Sequence, residues 1–483
     1  LCALPFAYLL RSIAEIYISV FILFVTRVRI LSGKDFTQGI PPQHKAAITY
    51  CVKAHNEQAV NQAISSMETS LRGNQDDNLF AIYVSDTNKP KLILQEIQSI
   101  HRLQRKFCKD SVIYFHRRTD WGKKWGAYQD LMMWLYRRCE YPAAYTNKRY
   151  GQYRRDPAQR VFSLESIADK MQKSDLLTEG EIRTGIVGDI SKLRNGEVIK
   201  YLLISDADVV WPPGTAIRIV EKMAHKANSE FAIFQPSVTP KNIHASLYTR
   251  VLTWSRLLSE FASLAIWKIY DTYTFYGKGG VNIRKYLEVM LVNDKEVLFP
   301  SALSHDFVEA SYLRTAYLPD IQILEDVPTN YFEDLRRLQR WTIGDLMGIW
   351  HETVRPIISK FGSFLSPLTK SRNKPRPLKI VSSIVIRLVL RFEFSTPAFA
   401  LFLLLTVVGG SLPGVYLVAN PAAEIALMCF VLTGIVILPR TIAPIAAHVH
   451  LRGYNPRPLL VSLAPVSVEL IMSTLLFLQQ LVD

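Results

Sequence analysis

Cysteine is scarce in this chain. Its 483 residues hold five (Cys2, Cys51, Cys108, Cys139 and Cys429), scattered and with no CxxC pair. That argues against a disulfide scaffold or a zinc site and for a reducing compartment. Charge is scarce too: 20 % of residues are charged and 49 % hydrophobic, which excludes a disordered chain. Several motifs are missing. No GxGxxG follows the first apolar run, and GxxxxGK[ST], GxSxG and HExxH occur nowhere. Dinucleotide-binding, P-loop, serine-hydrolase and zincin readings therefore lose their main support. His448 and His450, two apart, have the wrong spacing to share a helix face and read as loop or interface residues. The first residue is Leu, which carries the expectation of a piece of a longer polypeptide.

What is abundant is unevenly spread. Residues Thr396–Val418 carry no charge over 23 positions, and Pro421–Leu438 and Pro458–Leu478 carry one glutamate each, Glu424 and Glu469. About 20 apolar residues cross a bilayer, so each run is expected to span it. Lys370–Lys379 is basic and precedes the first run, and Arg440, Arg452 and Arg457 lie between the second and third. By the positive-inside rule the middle of the chain is then cytoplasmic. Ile16–Val28 reads as a further span or an interfacial helix, and 350–395 as amphipathic helices on the bilayer surface. Lys and Arg total 57 against 42 Asp and Glu, a formal net charge of +15. Much of that excess flanks the apolar runs, where anionic headgroups attract it, and no nucleic-acid-binding motif accompanies it.

The middle alternates short apolar runs with helical spacing. Ala46–Val52, Leu79–Val84, Ser111–Phe115 and Lys200–Ser205 read as strands, with helices over Gln58–Leu71 and Leu92–Phe107. Strands so spaced make a parallel sheet with βαβ crossovers, and ligands bind at the carboxyl ends of its strands. The fourth run ends in Asp206-Ala207-Asp208. Two carboxylates two apart at a strand end reach a divalent cation and a ribose or diphosphate together; Mg²⁺ or Mn²⁺ takes such oxygen ligands. The bland alternative is a solvated turn.

From Asp206 onward the segments Ser205–Asp208, Met223–His225, Gln235–Thr239, Tyr276–Gly279, Ser304–Glu309 and Gln339–Asp345, with Val84–Asp86 and Lys124–Gly126 upstream, resemble one ordered set. They are similar to the processive family 2-type glycosyltransferases of the GT-A fold, and more narrowly to the glucosyltransferase region of cyclic β-1,2-glucan synthases. A secondary likeness is to the glucosyltransferase of periplasmic glucans. The resemblance covers about residues 40–350. It implies an α/β, Rossmann-like GT-A domain over 41–349 fused to transmembrane α-helices: an N-terminal helix over 1–40, interfacial helices over 350–395 and about three spans over 396–483. That places the protein in a plasma or inner membrane with the catalytic domain cytoplasmic.

The resemblance also implies roles. Asp86 contacts the uracil base, Asn56 and Glu57 help hold the uridine, and Asp206 and Asp208 face the ribose and a Mg²⁺ or Mn²⁺ ion. Lys124 neutralises the diphosphate, Asp306 is the general base, and Gly277, Lys278, Gly279, Gln339, Arg340 and Trp341 serve the acceptor and diphosphate. UDP-glucose is the implied donor, a β-1,2-glucan or oligosaccharide the acceptor, the bilayer a partner, and nucleic acid none. The alternatives are a related synthase making chitin, hyaluronan, cellulose or a β-1,3/1,4-glucan, single transfer to a lipid phosphate, or an inactive scaffold. For single residues they are a helix N-cap for Asp306 and core packing for Trp341. The family pattern has Gln three residues before the Arg of its Arg-Trp pair; here Arg337 stands there, read as a mark of the cyclic-glucan group. Its phosphorylase-like domain matches no part of these residues, so no cyclisation is implied. Residues 140–196 match no block and read as a loop or an oligosaccharide-facing flap.

Overall fold

The computed structural model describes residues 28–349 and 351, except 88, 108–110, 117–121, 138–185, 188–198 and short stretches between 251 and 301. The expected spans at Ile16–Val28, Thr396–Val418, Pro421–Leu438 and Pro458–Leu478, the interfacial helices and most of the 140–196 segment lie outside the described residues. Among the described residues, no helix is long and apolar enough to cross a membrane.

Eight strands form one sheet. The first, β1 (Ala46–Val52), pairs in parallel with β2 (Leu79–Ser85), and β2 with β3 (Val112–His116), whose outer edge carries the two-residue β4 (Ile186–Val187). On the other side of β1 lies β5 (Tyr201–Ser205), then β7 (Gly279–Asn282), β6 (Ile233–Pro240) and β10 (Thr315–Glu325). A small separate hairpin joins β8 (Leu291–Val292) to β9 (Lys295–Glu296). The four strands read from sequence are mutually parallel. The whole sheet is mixed, because β7 runs antiparallel to both β5 and β6, and β4 to β3.

Both faces of the sheet are covered, so its strands are apolar throughout rather than alternating. Ile48, Tyr50, Ala81 and Tyr83 face one core, and Ala47, Phe80, Ile82 and Val84 face the other. The first core receives α1 (Glu57–Gly73), α2 (Pro90–Lys106) and α4 (Thr215–Ala224); the second receives α3 (Lys123–Arg137), α5 (Ile283–Met290) and α6 (His305–Tyr312). Leu31, Phe36 and Ile40 also pack into the first core, so the domain begins before residue 41. The last helix, α7 (Tyr331–Ile349), follows β10. The chain steps outward from β1 through β2 and β3, then returns to the other flank of β1 as β5. That reversal is a switch point, where strand ends open a crevice for a ligand.

At the opposite edge of the sheet, His44 is buried with Nδ1 at 3.2 Å from the Tyr201 hydroxyl and Nε2 at 3.3 Å from the Lys34 ammonium. Burial, then the charges of Lys200 and Lys34, push its pKa from the usual 6.5 down to about 4. An imidazole held uncharged in the fold stabilises it above the unfolded pKa, and that stability drains away as pH falls from 6.5 towards 4. Thermal melts of the full chain between pH about 7 and about 5 should therefore fall less steeply for His44→Asn, which keeps the Tyr201 contact without a titrating group. Parallel pH profiles would sink this reading.

Candidate active site

The register brings the expected residues to one edge. Val52 pairs with Ser85 and Tyr50 with Ser205, so Lys53–Glu57, Asp86 and Asp206–Asp208 all follow strand ends at the same level. The turn after β5 is braced from several sides. Val209 N–H closes it on Asp206 C=O at 3.1 Å, and the Tyr50 hydroxyl donates to Val209 C=O at 2.9 Å. Trp211, fully buried, donates its indole N–H to the Ser205 hydroxyl at 2.7 Å. Val210 and Leu324 exchange backbone hydrogen bonds at 2.8 and 2.9 Å, which draws the end of β10 alongside.

Four charged groups converge there. The Lys124 ammonium, on α3, lies 2.5 Å from Asp206 Oδ1 and donates to Gly277 C=O at 2.7 Å. Lys278 lies 3.1 Å from Asp206 Oδ2 and also pairs with Glu325, the last residue of β10. Burial alone would raise the Asp206 pKa, but the two lysines hold its carboxyl well below the usual range. Burial opposes the Lys278 charge, and Glu325 and Asp206 more than restore it. Asp208 is different: burial first, then the charge of Asp206, raises its pKa. Its Oδ2 accepts the Asp326 N–H at 3.0 Å, while Lys241 reaches Asp208 C=O at 2.7 Å and Asp326 Oδ2 at 3.1 Å.

Among the described residues, no three His, Cys, Asp or Glu side chains are grouped to hold a metal. Mg²⁺, however, is usually held by one or two carboxylates together with substrate phosphates, not by a protein cage. Asp208, whose ionised form is disfavoured by burial and by Asp206 and is favoured in part by Lys278, suits that arrangement. Both oxygens of Asp206 are engaged by lysines.

Gly277 is where several of these elements meet. Its φ is +70°, and a Cβ added there would stand 3.5 Å from Lys124 Nζ, 3.6 Å from His305 Cε1 and 3.8 Å from Asp306 Cβ. Gly279, with φ +142°, has no room for a side chain: a Cβ would meet Phe234 C=O at 2.5 Å. Asp306 lies in the first turn of α6, half-buried, with Oδ1 accepting the Phe307 N–H at 3.0 Å; Ser304 occupies the N-cap position.

At the ends of β1 and β2 the residues have structural duties of their own. Asn56 caps α1 by accepting the Ala59 N–H at 2.9 Å, and Glu57 pairs with Lys91 at 2.9 Å across the starts of α1 and α2. Asp86 is fixed by its N–H to Val52 C=O at 2.9 Å. Beneath it Glu96, 0 % exposed, accepts hydroxyls from Tyr83, Ser85, Thr87 and Tyr114 at 2.6–3.1 Å, and Thr87 in turn receives the Ala54 N–H at 3.1 Å.

Trp341 is 38 % exposed under the Arg337 guanidinium at 4.7 Å, so it is not a core tryptophan. Gln339 and Arg340 are exposed on α7, and among the described residues no hydrogen bond or ion pair joins them to the aspartate cluster. The Trp341 C=O accepts the Ser304 hydroxyl at 3.4 Å, which sets Trp341 beside the start of α6. Glu325, Lys241 and Asp326 had no place in the sequence reading. Glu325 closes β10, but Pro319 and Asp320 interrupt the apolar pattern that leads up to it.

No family profile matches the chain. It is homologous over about a third of its length to named glucan enzymes. It is 25 % identical over 198 residues to cyclic beta-(1,2)-glucan synthase NdvB of Rhizobium meliloti, covering 36 % of this chain and 7 % of that protein. It is 27 % identical over 177 residues to glucans biosynthesis glucosyltransferase H of Cupriavidus pinatubonensis, and 26 % over 179 residues to that of Pseudomonas putida. Each of the latter covers 34 % of this chain and 20 % of the relative, so the match spans a small part of every one of these proteins.

Removing one partner of a buried ion pair strands the other's charge. Lys278→Met should cost about 3–5 kcal/mol, read by chemical denaturation. Lys278→Met combined with Glu325→Gln should cost less than the two single losses together. Strict additivity would show that the pair does not couple β7 to β10.

Proposed function

We propose that this chain is a membrane-integrated, inverting glucosyltransferase that moves glucose from UDP-glucose onto a growing β-1,2-glucan. The observation that carries it is the meeting of Asp206, Lys124, Gly277 and Asp306 within one small space at the switch point of the sheet. Homology to glucan glucosyltransferases over the same kind of domain supports the substrate class.

In this reading Asp86 and the β1 end hold the uridine, above the hydroxyl cluster on Glu96. Asp206, kept ionised by its two lysines, receives the ribose side of the donor. The Lys124 ammonium balances the diphosphate as it gains charge on leaving. Asp208 would hold a Mg²⁺ or Mn²⁺ ion, which when bound supplies further charge neutralisation at the diphosphate. The Asp306 carboxylate takes the proton of the acceptor hydroxyl while its oxygen attacks the anomeric carbon. The new C–O bond forms opposite the departing UDP, which leaves with the electron pair of the broken bond, so configuration inverts. Trp341, exposed beside the start of α6, offers its ring face to a sugar at little entropic cost. Membrane attachment follows from the apolar runs of the sequence.

UDP release by the full chain in detergent should require UDP-glucose, not UDP-GlcNAc or UDP-glucuronate, and should need Mg²⁺ or Mn²⁺. Asp306→Asn should lower turnover about 10²–10⁴-fold with UDP affinity kept. Retained turnover would sink the base assignment. Asp208→Ala should abolish the metal dependence of UDP binding. A preference for another donor would move the chain to a neighbouring synthase.

A further inference from the structure

His305 opens α6 immediately before Asp306 and is 8 % exposed. Its Nδ1 lies 3.1 Å from Glu309 Oε2, one turn along the helix, and 3.0 Å from the Tyr128 hydroxyl. Glu309 is 0 % exposed and also accepts the hydroxyls of Tyr128 and Tyr286 on its other oxygen, Oε1. Burial, then the Glu309 charge, lifts the Tyr128 phenol far above its ordinary pKa, so Tyr128 keeps its proton and spends it on Glu309. A carboxylate only accepts hydrogen bonds. The remaining oxygen, Oε2, therefore faces an Nδ1 that must be the donor. In the neutral imidazole this contact puts the proton on Nδ1 and leaves the lone pair on Nε2.

The ring so held turns its Cε1 towards the space left by Gly277, 3.6 Å from where a Cβ would stand, with Lys124 Nζ and Asp306 Cβ bounding the same space. Lysines already serve the diphosphate, which at neutral pH has oxygen acceptors and nothing to donate. A lone pair suits a hydroxyl group instead. Beside the base, the hydroxyl-bearing reactant is the acceptor sugar.

We propose that His305 is an acceptor-binding residue: its Nε2 accepts a hydrogen bond from a hydroxyl of the acceptor pyranose next to the one that attacks. Glu309, Tyr128 and Tyr286 are positioning residues that act through it. The assignment rests on the glucosyltransferase reading and adds a second contact to the acceptor beside Asp306. Asp306 removes the proton; His305 decides which hydroxyl is presented.

The test is steady-state transfer by the full chain, with UDP-glucose and a β-1,2-gluco-oligosaccharide as acceptor probe, alongside UDP titration. His305→Ala should raise the acceptor KM about ten-fold, the scale of one lost hydrogen bond, and leave UDP affinity unchanged. Two near-isosteres separate binding from scaffolding. Gln carries its amide near the position of Nε2, Asn near that of Nδ1. His305→Gln should recover much of the acceptor KM and His305→Asn should not. Recovery by Asn alone would overturn the proposal in favour of a purely structural tie to Glu309. Glu309→Gln is the variant that leaves the ring in place. Its amide donates to Nδ1 and shifts the imidazole proton to Nε2, so acceptor KM should rise as in His305→Ala. Parallel loss of acceptor and UDP affinity in all four variants, or an unchanged acceptor KM in His305→Ala, would also overturn it. Wild-type protein that releases no UDP with any donor would instead overturn the glucosyltransferase reading, and this assignment with it.

Discussion

A single buried ammonium group holds the Asp206–Glu325 edge of the sheet together. Without Lys278, the carboxylates of Asp206, Asp208 and Glu325 would face one another at the ends of β5 and β10 with Lys124 as their nearest cation. Mutual repulsion would part those strand ends, and the Val210–Leu324 exchange that depends on their closeness would weaken. Lys278 reaches this position because the glycines on either side of it adopt backbone angles that other residues rarely do. An ion pair of this kind contributes more to placement than to net stability, since the cost of dehydrating its members is of the same order as their attraction.

The same placement divides the work between the two flanks of β1. On the β2–β3 side, one carboxylate organises the strand ends: Glu96 draws in hydroxyls from two strands and a loop, and through Thr87 it reaches the backbone after β1. On the other side, Glu309 does the same for the start of α6, through two tyrosines and a histidine. Each carboxylate is buried, surrounded by neutral donors, and one shell behind the groups that would meet substrate. Burying a carboxyl without those donors would be expensive. In return the donors can adopt few other arrangements, and the residues in front of them are held still.

Much of this was legible in the chain. β1 lies where its apolar run does, and β2, β3, α1 and α2 fall within two residues of the expected bounds, because each is a continuous apolar or helically spaced run. Asp206 and Asp208 were legible for the same reason: polar residues at the end of a buried strand stand out. β7 was not, being four residues long and led by two glycines, with its strand character supplied by neighbours on both sides. β10 carries Pro319 and Asp320 at an irregularity between Leu318 and Gln322, which breaks its pattern and hides the carboxylate at its end. Asn56 and Glu57 show a different limit: a helix cap and a ligand contact call for the same residue types at a strand-to-helix turn.

β7 enters the sheet against the grain. In a parallel strand the leading end lies far from the ligand edge; in β7 it is the leading end, with Gly277 and Lys278 just before it, that arrives there. The chain therefore leaves the ligand edge at the end of β6 and comes back to that same edge at the start of β7. Residues 241–276 form an excursion whose length is not dictated by the width of the sheet. A connection of this kind can change in length without shifting the register of any strand, provided Leu264, Trp267 and Tyr273 keep their places in the first core. Such a change stays on one side of β1 and leaves the pairing of β1 with β2 and β3 untouched.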